Sequence, residues 1–312
     1  MVPSLRAFLD GIIDYAGLFP PARLPLDEAL RNYLRYRREP ERWMLARFVC
    51  PVARLTELGT LLQQGGQEEP VPLAVLARGG DRIHDFMNDL NADLQSIAAF
   101  HQRFEQWVEV EAIEVREPEK WAEQKKPGGV GPVVVPAIQS YAKVFWEIPI
   151  TAENWSARIT TMLGLLRQGM GPLGFKLRCG GMPVEATPAP GDIAFFIAAC
   201  RDAGVPIKFT AGLHHPIRHF DPGLRARLHG FVNVFGAAIL AHARRLNEEE
   251  LWGILEEENA ANFVLDERGF RWQDYQVSTE EIVAARQWAI SFGSCSFDEP
   301  RDDLRALGWL EK

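Results

Sequence analysis

Residues 174–181 read Gly-Phe-Lys-Leu-Arg-Cys-Gly-Gly, and residues 206–213 read Pro-Ile-Lys-Phe-Thr-Ala-Gly-Leu. Each is a short apolar run that carries one lysine, followed within a few positions by glycine. Between them, residues 191–203 place apolar side chains at helical spacing, and Asp192, just after a Pro-Gly pair, sits where it can cap that helix. Strands buried on both faces read as near-continuous apolar runs, as parallel strands covered by helices do. The unit is therefore strand, helix, strand.

The same alternation extends in both directions. Further candidate strands lie at 44–50, 72–77, 108–115, 132–138, 144–150 and 231–235. Amphipathic helical patterns lie at 54–64, 82–103, 118–124, 152–168 and 235–246. About eight such repeats predict an α/β fold, a (β/α)8 TIM-type barrel. One link is short: residues 139–143 are too few for a crossover helix.

The reading divides the chain into an N-terminal cap at 1–42, the barrel at 43–255 and a C-terminal extension at 256–312. The cap holds the apolar, proline-containing loop Asp14-Tyr15-Ala16-Gly17-Leu18-Phe19-Pro20-Pro21 and a helix from about Leu26. The extension begins with a hairpin turning near Gly269. Ser278 and Glu281 then form a capping box for a helix running to about Phe292. The small-residue loop Gly293-Ser294-Cys295-Ser296 follows, and the whole extension is expected to fold back on the barrel.

Bulk properties narrow the function. The chain has 312 residues, with 47% hydrophobic and 24% charged, which suits one large globular unit. A net charge of −8 argues against a nucleic-acid partner. No stretch approaches membrane-span length, and the start, Met1-Val2-Pro3-Ser4-Leu5-Arg6, lacks the apolar run of a leader. The four cysteines have no CxxC spacing, which fits reduced thiols in a cytoplasmic protein. The expected partner is a small molecule, and a homo-oligomer is left open.

A lysine in a strand core must be paired or neutral. Lys176 and Lys208 on neighbouring strands would repel, freeing one amine as a nucleophile for imine chemistry. The competing structural reading pairs one of them with a core carboxylate such as Glu111 or Glu147. Glu109 and Glu111 alternate along the third candidate strand, with Glu114 after them. One that faces inward would serve as general acid or base. Arg178, followed by Gly180 and Gly181, suits a carboxylate or phosphate, and Thr210, His214, His215 and Asn233 complete the candidate binding set. No organic cofactor is expected. A divalent metal is the alternative, held by Glu147, His214 and His215.

The two lysine segments, Gly174–Gly181 and Ile207–Gly212, resemble the deoxyribose-phosphate aldolase group of class I aldolases. The resemblance implies that Lys176 is the imine lysine and Lys208 the lysine that perturbs it. The group's Thr-Ser-Thr-Gly is here Leu177-Arg178-Cys179-Gly180, and its Gly-Gly-Ile-Arg is here Gly212-Leu213-His214-His215. Both departures argue against a phosphorylated aldehyde. More broadly, the lysine segments together with His-Gly-Phe-Val-Asn-Val-Phe at 229–235 and Phe-Gly-Ser-Cys-Ser-Phe-Asp-Glu-Pro at 292–300 resemble a family of uncharacterised bacterial proteins. That resemblance spans most of the chain and implies no particular activity.

Overall fold

The structure is a computed structural model describing residues 1–67, 69–78, 83–117, 142–167, 173–181 and 187–311. Its strands, in chain order, begin with β1 (Ile13–Tyr15), β2 (Leu45–Pro51), β3 (Val71–Leu76) and β4 (Val108–Arg116). β5 (Lys143–Glu147), β6 (Leu173–Arg178) and β7 (Ile207–Thr210) follow. A small hairpin, β8 (His219–Asp221) and β9 (Ala226–Leu228), comes next. The meander β10 (Phe263–Asp266), β11 (Gly269–Trp272) and β12 (Tyr275–Val277) precedes the last strand, β13 (Ala289–Ser294). β1 to β7 and β13 form a closed barrel in the order β1-β13-β7-β6-β5-β4-β3-β2, with every pairing parallel.

The (β/α)8-type barrel is thus present, but two of its walls differ from the expectation. The segment 231–235 is not a strand. It opens a helix, Phe231–Arg244, in which every residue from Phe231 to Ala241 is buried. A short apolar run has the same signature in a buried helix as in a buried strand. The Ala-rich continuation to Ala241 extends the run to helix length.

The eighth wall strand is β13, from the region read as an extension, and the first is β1, from the region read as a cap. Barrel boundaries of 43–255 therefore cut off two strands. β1 escapes notice because it has three residues with an aspartate at its centre. In β13 the helix expected to reach Phe292 stops at Arg286, and the serine- and glycine-bearing run after it pairs with β1 and β7. The proposed strand at 132–138 and helix at 118–124 lie outside the described residues; β4 pairs directly with β5.

Outside the wall, helices pack in the usual alternation. Phe175, Phe209 and Phe292 point outward, where their rings meet Phe196, Phe235 and Phe231 of the surrounding helices at centroid distances of 5.2–6.4 Å. The meander seats Phe270 against Phe8 of the first helix at 5.1 Å, and Ser4 donates to the carbonyl of Asp266. The capping box is present: Ser278 Oγ accepts from the Glu281 amide, and Glu281 Oε2 accepts from the Ser278 amide. Among the described residues, no helix is long and apolar enough to cross a membrane.

Candidate active site

Outward aromatic residues on β6 and β7 leave the alternate positions facing the barrel axis. Those positions are Lys176 and Arg178 on β6, and Lys208 and Thr210 on β7. The two lysines are direct register partners, as are Arg178 and Thr210 one inward step further along. Both lysines are almost fully enclosed, at 5% and 1% exposure.

Each lysine meets carboxylates. Lys176 Nζ lies 2.8 Å from Glu114 Oε2 and 2.8 Å from Glu147 Oε2. Lys208 Nζ lies 2.6 Å from Glu114 Oε1 and 2.7 Å from Asp14 Oδ2. Ser291 Oγ also donates to Asp14 Oδ2, at 2.7 Å. Asp14 Oδ1 accepts from the Arg47 amide at 3.1 Å and pairs with the Arg47 guanidinium at 3.4 Å, and Arg47 continues to Glu111 at 2.7 Å. At the other end, Glu147 Oε1 pairs with Arg116 at 3.5 Å. The ion pairs form one line: Glu111, Arg47, Asp14, Lys208, Glu114, Lys176, Glu147, Arg116. Among the described residues, charges alternate along it.

This pairing reverses one expectation. Two lysines facing each other alone would lower an amine pKa. For Lys176, burial does act to lower it, but Glu114 and Glu147 outweigh burial and hold the ammonium above its ordinary value. Burial likewise pushes the carboxyl groups of Glu114 and Asp14 up, and is outweighed. Lys176 and Lys208 pull Glu114 well below the usual carboxylate range, and Lys208 and Arg47 pull Asp14 down. Lys176, Glu114 and Asp14 are thereby held in their charged forms.

The other expected residues divide. Glu147 joins the lysine cluster. Glu111 lies at its outer end and is about one-third exposed, at 34%. A register shift between Leu73 and Ala74 makes Glu111 the extra residue of a bulge in β4, so the carboxylate brought between the lysines is Glu114 instead. Arg178, Gly180, Gly181 and Thr210 line the rim beyond the lysines. Arg178 Nε donates to the Gly180 carbonyl at 3.1 Å. A side chain on Gly180 would come within 2.9 Å of the Gly212 Cα, so glycine there lets the loops after β6 and β7 touch. Gly181 has φ +106°, and a Cβ on it would meet the Arg178 guanidinium at 2.8 Å.

The histidines and Asn233 belong elsewhere. His214 pairs with Glu299 at 3.1 Å and His215 with Asp303 at 2.5 Å, both on the final helix, Asp298–Ala306. Glu147, His214 and His215 therefore do not assemble as a metal set. Among the described residues, no group of three or more His, Cys, Asp or Glu side chains could hold a metal ion. Asn233 sits in the first turn of its helix. It accepts from the Arg218 amide at 2.8 Å and donates to the carbonyls of Ile254 and Glu257, which is a positioning task inside the fold.

Asp14, Arg47 and Ser291 are members of the cluster that sequence reasoning did not select. Asp14 carried a signal, as a carboxylate between Ile12, Ile13 and Tyr15. Buried charges of this kind are expensive unless paired, so an acidic residue inside an apolar run marks a partner elsewhere. Arg47 and Ser291 offered no comparable signal. A parallel eight-stranded barrel with charged side chains gathered on its axis is an architecture common among enzymes, though it hosts many chemistries. The chain matches no family model and no curated protein.

Proposed function

We propose that this chain is an enzyme acting on a small anionic carbonyl compound, with lyase-like chemistry through an imine on Lys176. The observation that carries the reading is Glu114, one buried carboxylate within hydrogen-bonding distance of two amines. Imine formation needs a neutral amine. Lys176 can pass its proton to Glu147 or Glu114, which turns a charged pair into a neutral pair and brings no net charge into the barrel. The freed amine adds to the carbonyl carbon, and a proton moves from nitrogen to the former carbonyl oxygen. The protonated carboxyl then gives its proton to the departing hydroxyl, releasing water and leaving an iminium beside a carboxylate. Lys208 stays paired with Asp14 and Glu114. The iminium withdraws electrons from the adjacent carbon, which is what cleavage or formation of a carbon–carbon bond requires.

Borohydride reduction in the presence of propionaldehyde or pyruvate tests this reading. A mass adduct on Lys176, absent in Lys176→Met, is the expected result; no adduct with any small carbonyl compound would end the imine assignment. A second reading follows from the raised pKa of Lys176. A permanently charged Lys176 would polarise a bound carbonyl without bonding to it, while Glu147 or Glu114 takes a proton from the neighbouring carbon. Exchange of substrate α-protons for solvent deuterium without any trapped adduct would support that alternative.

A further inference from the structure

We infer that Arg178 and Thr210 form a subsite for a single negative charge, fitted to a carboxylate rather than a phosphate, so that the substrate is a small oxo acid. The inference rests on the carbonyl reading and adds the recognition half of the site. Its first support is charge. In the interior cluster each lysine ammonium is met by two carboxylates. Arg178 stands outside that cluster. Among the described residues it has no carboxylate partner, and its one acceptor is the Gly180 carbonyl, which takes Nε and leaves both terminal nitrogens to a ligand.

The second support is direction. Arg178 shares the inward face of β6 with Lys176 and lies two residues beyond it, about 6.6 Å further toward the C-terminal mouth. Thr210 is its register partner on β7, and no hydrogen bond engages the Thr210 hydroxyl among the described residues. Both residues are half-buried, so a ligand held there is partly desolvated. The third support is rigidity. Gly181, in the left-handed region, leaves room for the guanidinium, and the contact of Gly180 with Gly212 locks the two loops that flank it. A planar guanidinium with two free nitrogens matches a carboxylate in bidentate fashion. The single positive charge of Arg178 matches a monoanion and leaves half of a phosphate dianion unbalanced in a partly buried site.

Calorimetry on the full chain with oxamate and with inorganic phosphate tests the assignment, read together with borohydride trapping. Wild type should bind oxamate more tightly than phosphate. Arg178→Gln should weaken oxamate by about tenfold or more, the loss expected when a charge-assisted pair is removed. Arg178→Lys should recover part of it, since charge returns without the fork. Trapping separates this proposal from the imine reading. Arg178→Gln should lose the pyruvate adduct and keep the propionaldehyde adduct on Lys176, with an unchanged melting temperature showing that the variant is folded. Oxamate binding lost in Arg178→Gln, with no adduct formed in any variant, would retain the subsite and discard the imine. Phosphate binding tighter than oxamate, or oxamate binding unchanged in Arg178→Gln, would overturn the subsite.

Discussion

Lys176 and Lys208 lie directly opposite one another in the β6–β7 register, yet the nearest charge to each ammonium is negative. Glu114 reaches in from β4 and takes one lysine on each oxygen, at 2.8 and 2.6 Å. Two like charges on adjacent strands become part of an alternating series, and the tightness of the barrel depends on that third side chain.

Glu114→Gln should be the most damaging isosteric change in the interior. It leaves two buried ammonium groups sharing fewer carboxylates, and removing one partner of a buried pair costs about 3–5 kcal/mol. Glu111→Gln, at the one-third exposed end of the same line, should cost at most about 1 kcal/mol. Urea denaturation of the two variants against wild type measures the contrast. Equal effects would mean that the line of ion pairs does not concentrate its energy at Glu114.

Acid should weaken the fold in two stages. His229 donates from Nε2 to the Pro188 carbonyl at 2.8 Å and accepts from Arg218 at 3.3 Å on Nδ1. Burial, with a smaller contribution from Arg218, lowers its pKa from 6.5 to about 4. The unfolded chain then binds the proton first, so the stability this residue contributes is complete above pH 6.5 and is lost as pH falls toward 4. Glu114 and Asp14, whose folded values are depressed, add stability present above their unfolded values, about pH 4, and lost further into acid. Urea midpoints from pH 7 to pH 3 should fall in both windows, and His229→Asn should flatten only the upper one.

Gly180→Ala tests the contact of the two rim loops. The added methyl would sit 2.9 Å from the Gly212 Cα, so the loops must part. We expect a stability loss of about 1–3 kcal/mol, typical of overpacking, and weaker oxamate binding. Unchanged binding would show that the rim does not need this close approach.

Truncation separates wall from attachment. A chain ending at Glu256 lacks β13 and leaves β1 and β7 with unpaired edges, so it should aggregate on expression. A chain ending at Phe297 keeps the closed barrel and loses the final helix with its contacts to His214, His215, Tyr36, Glu39 and Glu41. It should remain soluble with a lower melting temperature. A soluble, cooperatively melting product from the shorter chain would contradict the role given to β13.

The legible parts of the fold are those where chemistry and period agree. Strands β2 to β7 are Val-, Ile-, Leu- and Phe-rich, and Lys176 and Lys208 fall as neighbours because lysine in such a run has few places to go. The illegible parts are where long-range pairing overrides local character. Asp14 and Ser291 look like loop residues, and become wall residues only because β1 and β13, 277 positions apart, hydrogen-bond to each other through these very side chains. The helix Phe231–Arg244 is apolar on every side because it is covered on every side, which erases the periodicity that would have announced it. At the site, the glutamate between the lysines is Glu114 rather than Glu111, because a single extra residue in β4 shifts the alternation beyond it.

The pairing of β1 with β13 also sets an order in time. Asp14 precedes Ser291, its hydrogen-bond donor, by 277 positions. Lys208 cannot be enclosed between Asp14 and Glu114 until the wall is complete. The step that closes the cylinder is therefore also the step that removes these charges from water. Charge neutralisation and barrel closure are thus coupled through a contact of high sequence separation.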